Sequence, residues 1–115
     1  MNNRERMRAS NKLVREWLLS NRYDEIWFKP HSKRNDVVFT QNGKYLATDL
    51  WNLFDGLCFL GGQIICLQMK TNAWAKEKPI IEFVKRHDVR VLSFNVTDKL
   101  KQCNGKWQVF VRYYQ

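Results

Sequence analysis

The chain has 115 residues, with 20 Lys plus Arg against 11 Asp plus Glu, a formal net charge of +9. That length predicts one domain spanning residues 1–115, able to bury about 65% of its unfolded surface without staples. A hydrophobic fraction of 44% with 14% aromatics excludes a disordered tail, and the positive charge points first to a polyanionic partner. The three cysteines include no C-x-x-C pair, which argues against a zinc site or a disulfide framework. Reduced thiols predict a cytoplasmic protein. The stretch from Met1 to Arg6 lacks the apolar run of a signal peptide. No apolar run approaches the ~18 residues that span a bilayer, so no membrane partner is expected.

The periodicity predicts a helix over residues 4–19. Met7, Leu13, Val14, Trp17 and Leu18 fall on one arc. Arg4, Arg8, Lys12 and Arg15 form a basic stripe on another, suited either to phosphates or to solvent. Residues 25–29 read as a short strand closed by Pro30, and a polar, basic loop containing His31, Lys33 and Arg34 follows. A further short strand over 37–40 precedes the turn signal Asn42-Gly43.

The centre of the chain is the most informative. Gly61-Gly62 between two apolar runs predicts a two-residue hairpin turn. Counting outward pairs Leu60 with Gln63, Cys58 with Ile65, and Asp55 with Gln68. Alternation then puts Asp55, Leu57 and Phe59 on one face with Ile64, Cys66, Gln68 and Lys70. Cys58, Leu60, Ile65, Leu67 and Met69 take the other. Apolar residues on both faces imply a sheet covered on both sides. A helix over 79–87, a strand over 89–96 and a last strand over 106–114 complete the chain, with the strand at 64–70 and that at 89–96 expected to run parallel. The fold class is α/β, a mixed central sheet flanked by helices on both faces.

Asp55, Gln68 and Lys70 have the spacing D-x12-Q-x-K. Phosphodiester hydrolysis uses a divalent metal to activate water and offset charge. Mg²⁺ takes oxygen ligands, often one or two carboxylates with water and phosphate, and a neighbouring Lys can steady the attacking water or the developing charge. A carboxylate on one strand, facing an oxygen ligand and a lysine on its hairpin partner, supplies those parts.

At these residues the chain resembles the PD-(D/E)XK nuclease superfamily, in particular its small Holliday-junction-resolvase-like branch. Phe54-Asp55-Gly56 matches the "PD" position and Gln68-Met69-Lys70 the E-x-K, with Phe54 in place of Pro and Gln68 in place of Glu. The resemblance implies a restriction-endonuclease-like αβββαβ core and a metal-dependent DNA endonuclease. Asp55, Gln68 and Lys70 would be its catalytic residues, Mg²⁺ or Mn²⁺ its cofactor, branched or double-stranded DNA its substrate and a homodimer its working form. Gln68 offers a carbonyl oxygen without a charge, which lowers the expected metal affinity. The branch often adds an acid from the first helix, for which Glu16 and Glu5 are both candidates. Asp49 is a further candidate ligand, or else a turn cap.

The stripe of Arg4, Arg8, Lys12 and Arg15, with Lys33 and Arg34 of the loop and Lys76, would hold the phosphate backbone. Trp74 stands among Lys70, Lys76 and Lys78 and reads either as core or as a base-stacking residue. His31 reads as a loop residue, His87 as a cation at a helix end, and Cys66 as a packed thiol. The alternatives to an enzyme are a non-catalytic nucleic-acid-binding domain on a degenerate nuclease fold, and an interaction module for an acidic protein.

Overall fold

A computed structural model describes residues 3–29, 38–39, 45–46, 50–51 and 53–115. In chain order the elements are α1 (Asn3–Ser20), β1 (Asp24–Phe28), β2 (Val38–Phe39), β3 (Tyr45–Leu46), β4 (Gly56–Leu60), β5 (Gln63–Thr71), α2 (Glu77–His87), β6 (Arg90–Thr97) and β7 (Gln108–Tyr114). Five strands form one sheet in the order β1-β4-β5-β6-β7, and β2 pairs with β3. Neighbours β5 and β6 run parallel, as expected, and the other three pairs of the large sheet are antiparallel. The fold is therefore mixed α/β, with α1 on one face of the sheet and α2 on the other.

The central hairpin forms in the register that the glycines dictate. Gly61 and Gly62 take φ of 58° and 82°, the primed-turn geometry that matches strand twist. Leu60 pairs with Gln63 and Cys58 with Ile65. Alternation then fills two cores. Cys58, Ile65 and Leu67 join Val14, Leu18 and Phe94 under α1, while Cys66 joins Ile80, Val84 and Val91 under α2. Full burial of each such large apolar side chain stabilises by about 1.5–3 kcal/mol, so the two helices are fixed by the periods seen in the sequence.

Some elements differ from expectation. Helix α2 starts at Glu77, two residues before Pro79, which still lies in the first turn where a missing N–H costs nothing. Its end is set by Asp88, in the left-handed region at φ 52°, whose N–H donates to the Val84 carbonyl. Strand β3 is additional to the expected strands, since two residues carry no readable period. Strand β1 is irregular, with Glu25 at φ 50° and a register shift between Asp24 and Trp27. Pro30, His31, Lys33, Arg34, the Asn42-Gly43 turn and Asp49 lie outside the described residues.

The alternation of β4 stops just before its first residue. Phe54 is fully buried and, like Leu57, packs on the α2 side, a spacing of three rather than two. The cause is a tight turn in which Leu50 and Phe54 exchange backbone hydrogen bonds of 2.9 and 3.0 Å. Asp55 consequently leaves the face of Leu57, where strict alternation puts it, and turns toward α1.

Candidate active site

The first half of α1 lies over the end of the sheet at which β4 begins. Between them is a cleft of about 230 Å³. Arg6, Ser10 and Asn11 line it from the helix, Lys29 from the end of β1, and Lys70 and Thr71 from the end of β5, with Asp55 between the strands.

Asp55 is held by backbone on both sides. Its N–H donates to the Leu67 carbonyl at 2.7 Å, and its carbonyl accepts from Lys29 N–H at 2.8 Å. The carboxylate is equally engaged. Oδ2 accepts the Met69 N–H at 2.8 Å, and Oδ1 lies 3.6 Å from Lys29 Nζ. Gln68 Oε1 accepts that same Met69 N–H at 2.7 Å. The two oxygens expected to face each other across the hairpin therefore share a single backbone donor, but Gln68 is not among the residues that line the cleft with Asp55 and Lys70. The side chains of Lys29 and Asp55 are 13% and 17% exposed, so this is a largely desolvated pair at the cleft floor.

Gly56 makes the arrangement possible. A Cβ there would collide with the Trp27 carbonyl oxygen of β1, so only glycine lets β1 come close enough to place Lys29 beside Asp55. On the opposite wall Ser10 Oγ and Thr71 Oγ1 are 3.3 Å apart. Asn11 Oδ1 is buried and has no hydrogen-bond partner among the described residues, an oxygen open to a donor or a cation. Beyond the cleft, Asn72 takes φ 59° and ends β5, its N–H donating to Val96 O at 2.9 Å and its Oδ1 accepting from Thr97 Oγ1 at 2.9 Å. That anchor fixes where Lys70 and Thr71 sit.

Among the described residues, the charges of the lining are Arg6, Lys29 and Lys70 against Asp55. An excess of cations around one carboxylate suits a phosphodiester anion.

The other expected residues are distributed as follows. Glu16 and Glu5 are exposed on α1 and do not line the cleft. Asp49 lies outside the described residues, among which no group of three or more His, Cys, Asp or Glu side chains gathers. Arg8, Lys12 and Arg15 are exposed on α1, and the Arg15 guanidinium sits 5.3 Å from the centroid of Phe28, itself a cleft residue. Arg4 lies in the first turn of that helix, and Lys33 and Arg34 fall outside the described residues. Lys76 is exposed at the start of α2. Trp74 is half-buried, and Arg112 lies over its ring at 4.1 Å, so one π-face is already occupied. Arg112 in turn meets Glu77 at 3.0 Å, which also accepts from the Tyr114 hydroxyl at 3.0 Å. Burial and then Glu77 raise the Tyr114 pKa.

Cys66 is a packed thiol, pushed up to about 11 by burial. Sequence reasoning passed over Arg6, Ser10 and Asn11. The available signal was the border between the apolar arc and the basic stripe of α1, where Arg6 and Ser10 stand four apart beside Met7.

No helix among the described residues is long and apolar enough to cross a membrane. Comparison with family models, with curated proteins and with solved structures returns no match.

Proposed function

We propose that the chain is a metal-dependent nuclease that binds DNA across the Asp55 cleft and hydrolyses a phosphodiester bond there. The observation that carries this reading is the convergence of Asp55 Oδ2 and Gln68 Oε1 on the Met69 N–H, with Lys29 at 3.6 Å from the carboxylate and Lys70 next in the strand. The order of helices and strands supports the αβββαβ nuclease core that the resemblance implies.

The donor set fits a hard divalent ion that retains much of its water. One carboxylate and one amide carbonyl supply oxygen ligands, the rest being left to water and phosphate, as Mg²⁺ and Mn²⁺ accept. Asp55 and Gln68 would hold the ion, which when bound supplies water activation and charge offset. Lys70 stabilises charge that develops on the phosphate, and Lys29, 3.6 Å from its Oδ1, orients the Asp55 carboxylate. Arg6 and the exposed Arg8, Lys12 and Arg15 hold the flanking backbone. The footprint of one small domain is short, which favours a homodimer on a branched substrate.

A second reading, a non-catalytic DNA-binding domain, is favoured by the charges that line the cleft among the described residues, three cations to a single carboxylate.

The test is cleavage of plasmid, single-stranded, flap and four-way-junction DNA with Mg²⁺ or Mn²⁺. Cleavage that disappears in Asp55→Ala and Lys70→Ala supports the nuclease. Salt-sensitive binding of all four substrates with no cleavage and no effect of metal overturns it in favour of the second reading.

A further inference from the structure

We propose that Trp51, with the groove beneath it, is a stacking site for a nucleobase of a single strand that leaves the Asp55 cleft. The proposal rests on reading that cleft as a phosphodiester site. Trp51 is 63% exposed. Its backbone lies in the left-handed region at φ 52°, which disfavours a bulky side chain and persists when the surroundings impose it. The surroundings here are aromatic. The Trp51 ring is 5.5 Å from Phe83 and 6.3 Å, edge-on, from the fully buried Phe54, and those two rings are 5.0 Å apart. A tryptophan held out in water on two other aromatic rings is a rigid platform, and its outer face is free of the covering cation found over Trp74 among the described residues.

The groove of about 210 Å³ adds Arg86, Pro79 and Glu82 to these rings. Stacking surface next to a guanidinium is what single-stranded nucleic acid meets in sequence-tolerant sites. Lys85, Arg86 and His87 make the last turn of α2 basic, which complements a phosphate chain and not an acidless apolar peptide. Glu82 is the acid of the lining, able to accept from a base amino group.

Position selects the single strand. Trp51 and Asp55 are four positions apart, a reach of at most about 14 Å, and the Leu50–Phe54 turn shortens it. Asp55 faces the α1 side, however, and Trp51 the α2 side. A chain touching both must bend over the end of the sheet, which a stiff duplex resists and a single strand does not.

The test titrates the full chain, without divalent metal, into single-stranded oligonucleotides carrying 2-aminopurine and into a blunt duplex. The expected result is quenching of the aminopurine by the wild-type chain. Trp51→Ala removes the quench and weakens single-strand binding about tenfold, leaving duplex binding unchanged. Trp51→Leu, which keeps an apolar contact with Phe83, reproduces both losses, and Trp51→Phe keeps most of the quench. Unchanged single-strand affinity and quenching in Trp51→Ala overturns the proposal, as for a groove that docks a protein. Weakening by Lys29→Ala but not by Trp51→Ala or Trp51→Leu leaves the cleft reading standing and overturns the stacking site. Weakening by the Trp51 variants but not by Lys29→Ala supports the stacking site and sinks the cleft reading. Absence of any oligonucleotide binding overturns both.

Discussion

Asp55 Oδ2 accepts the Met69 N–H at 2.8 Å, just beyond the Gly56–Leu67 pair where β4 begins. A side-chain carboxylate thus extends the bonding to β5 beyond the Asp55 N–H to Leu67 carbonyl hydrogen bond. One group has two tasks: it satisfies a strand donor through Oδ2, and it lines the cleft with Oδ1 3.6 Å from Lys29 Nζ.

The two tasks separate by substitution. Asp55→Asn keeps an acceptor for Met69 but loses the charge. Asp55→Ala loses both and should cost about 1–3 kcal/mol. Urea unfolding is expected to place Asp55→Asn between wild type and Asp55→Ala, while cleavage falls about 100-fold or more in both. Equal stability of the two variants would show that the Met69 hydrogen bond contributes nothing.

Gln68→Glu puts two carboxylates on one N–H. Without metal their repulsion raises a carboxyl pKa in the folded state. A raised acid pKa costs stability above the unfolded value of about 4.3, so the deficit against wild type should shrink as pH falls through that range. Mg²⁺ should remove the deficit at neutral pH, and calorimetry should show divalent binding at least about tenfold tighter. Melting temperatures indifferent to Mg²⁺ in this variant would mean that these oxygens do not hold metal.

Much of this was legible before the structure, and the exceptions have physical causes. Gly61-Gly62 fixed a turn, and the turn fixed a register that runs from Leu60–Gln63 to Gly56–Leu67. Strict alternation fails at Phe54-Asp55-Gly56 because a tight turn, not a strand, precedes Gly56. Asp55 therefore took the α1 side, and its neighbours became Arg6 and Asn11 in place of the acids Glu16 and Glu5, which stay exposed. Helical angles showed Glu16 to be off the apolar arc. They could not show which border of that arc overhangs a sheet end, since that depends on how the helix lies across the strands. The approach of Trp27 to Gly56 is a long-range contact that no local pattern encodes.

Gly56 supplies a direct check of that approach. Gly56→Ala forces the Trp27 carbonyl of β1 away, at about 1–3 kcal/mol, the usual cost of overpacking. Because Lys29 follows β1, the displacement should also lower cleavage, although the new methyl touches no substrate. Normal stability with normal activity would mean that β1 sits farther from β4 than the structure has it.

The thiols give a pH dependence. Burial pushes Cys58 up to about 12 and Cys66 up to about 11, from an ordinary 9.0. Between pH 9 and these values the unfolded chain releases thiol protons that the folded chain retains. Stability therefore falls as pH rises through that window and is unaffected by these groups below it. Native protein at pH 8 should react with a thiol reagent only as fast as it opens, and all three buried cysteines should react at once in denaturant. Rapid labelling of Cys66 in native protein would contradict its burial beneath α2.

The cationic lining predicts a graded salt response. Each phosphate contact removed from a duplex complex reduces the slope of log K against log salt by about 0.9. Arg6→Ala and Lys29→Ala should each do so, because both cations line the cleft beside Asp55. Lys29→Ala carries an added cost, since its loss leaves the Asp55 carboxylate, 17% exposed, without its 3.6 Å partner. It should therefore lower thermal stability as well, and Arg6→Ala, at an exposed position, should not. Glu16→Gln serves as the control: an exposed residue outside the cleft should alter neither metal-dependent cleavage nor metal affinity. A loss of metal binding in that variant would restore Glu16 as a ligand and move the centre of the site along α1.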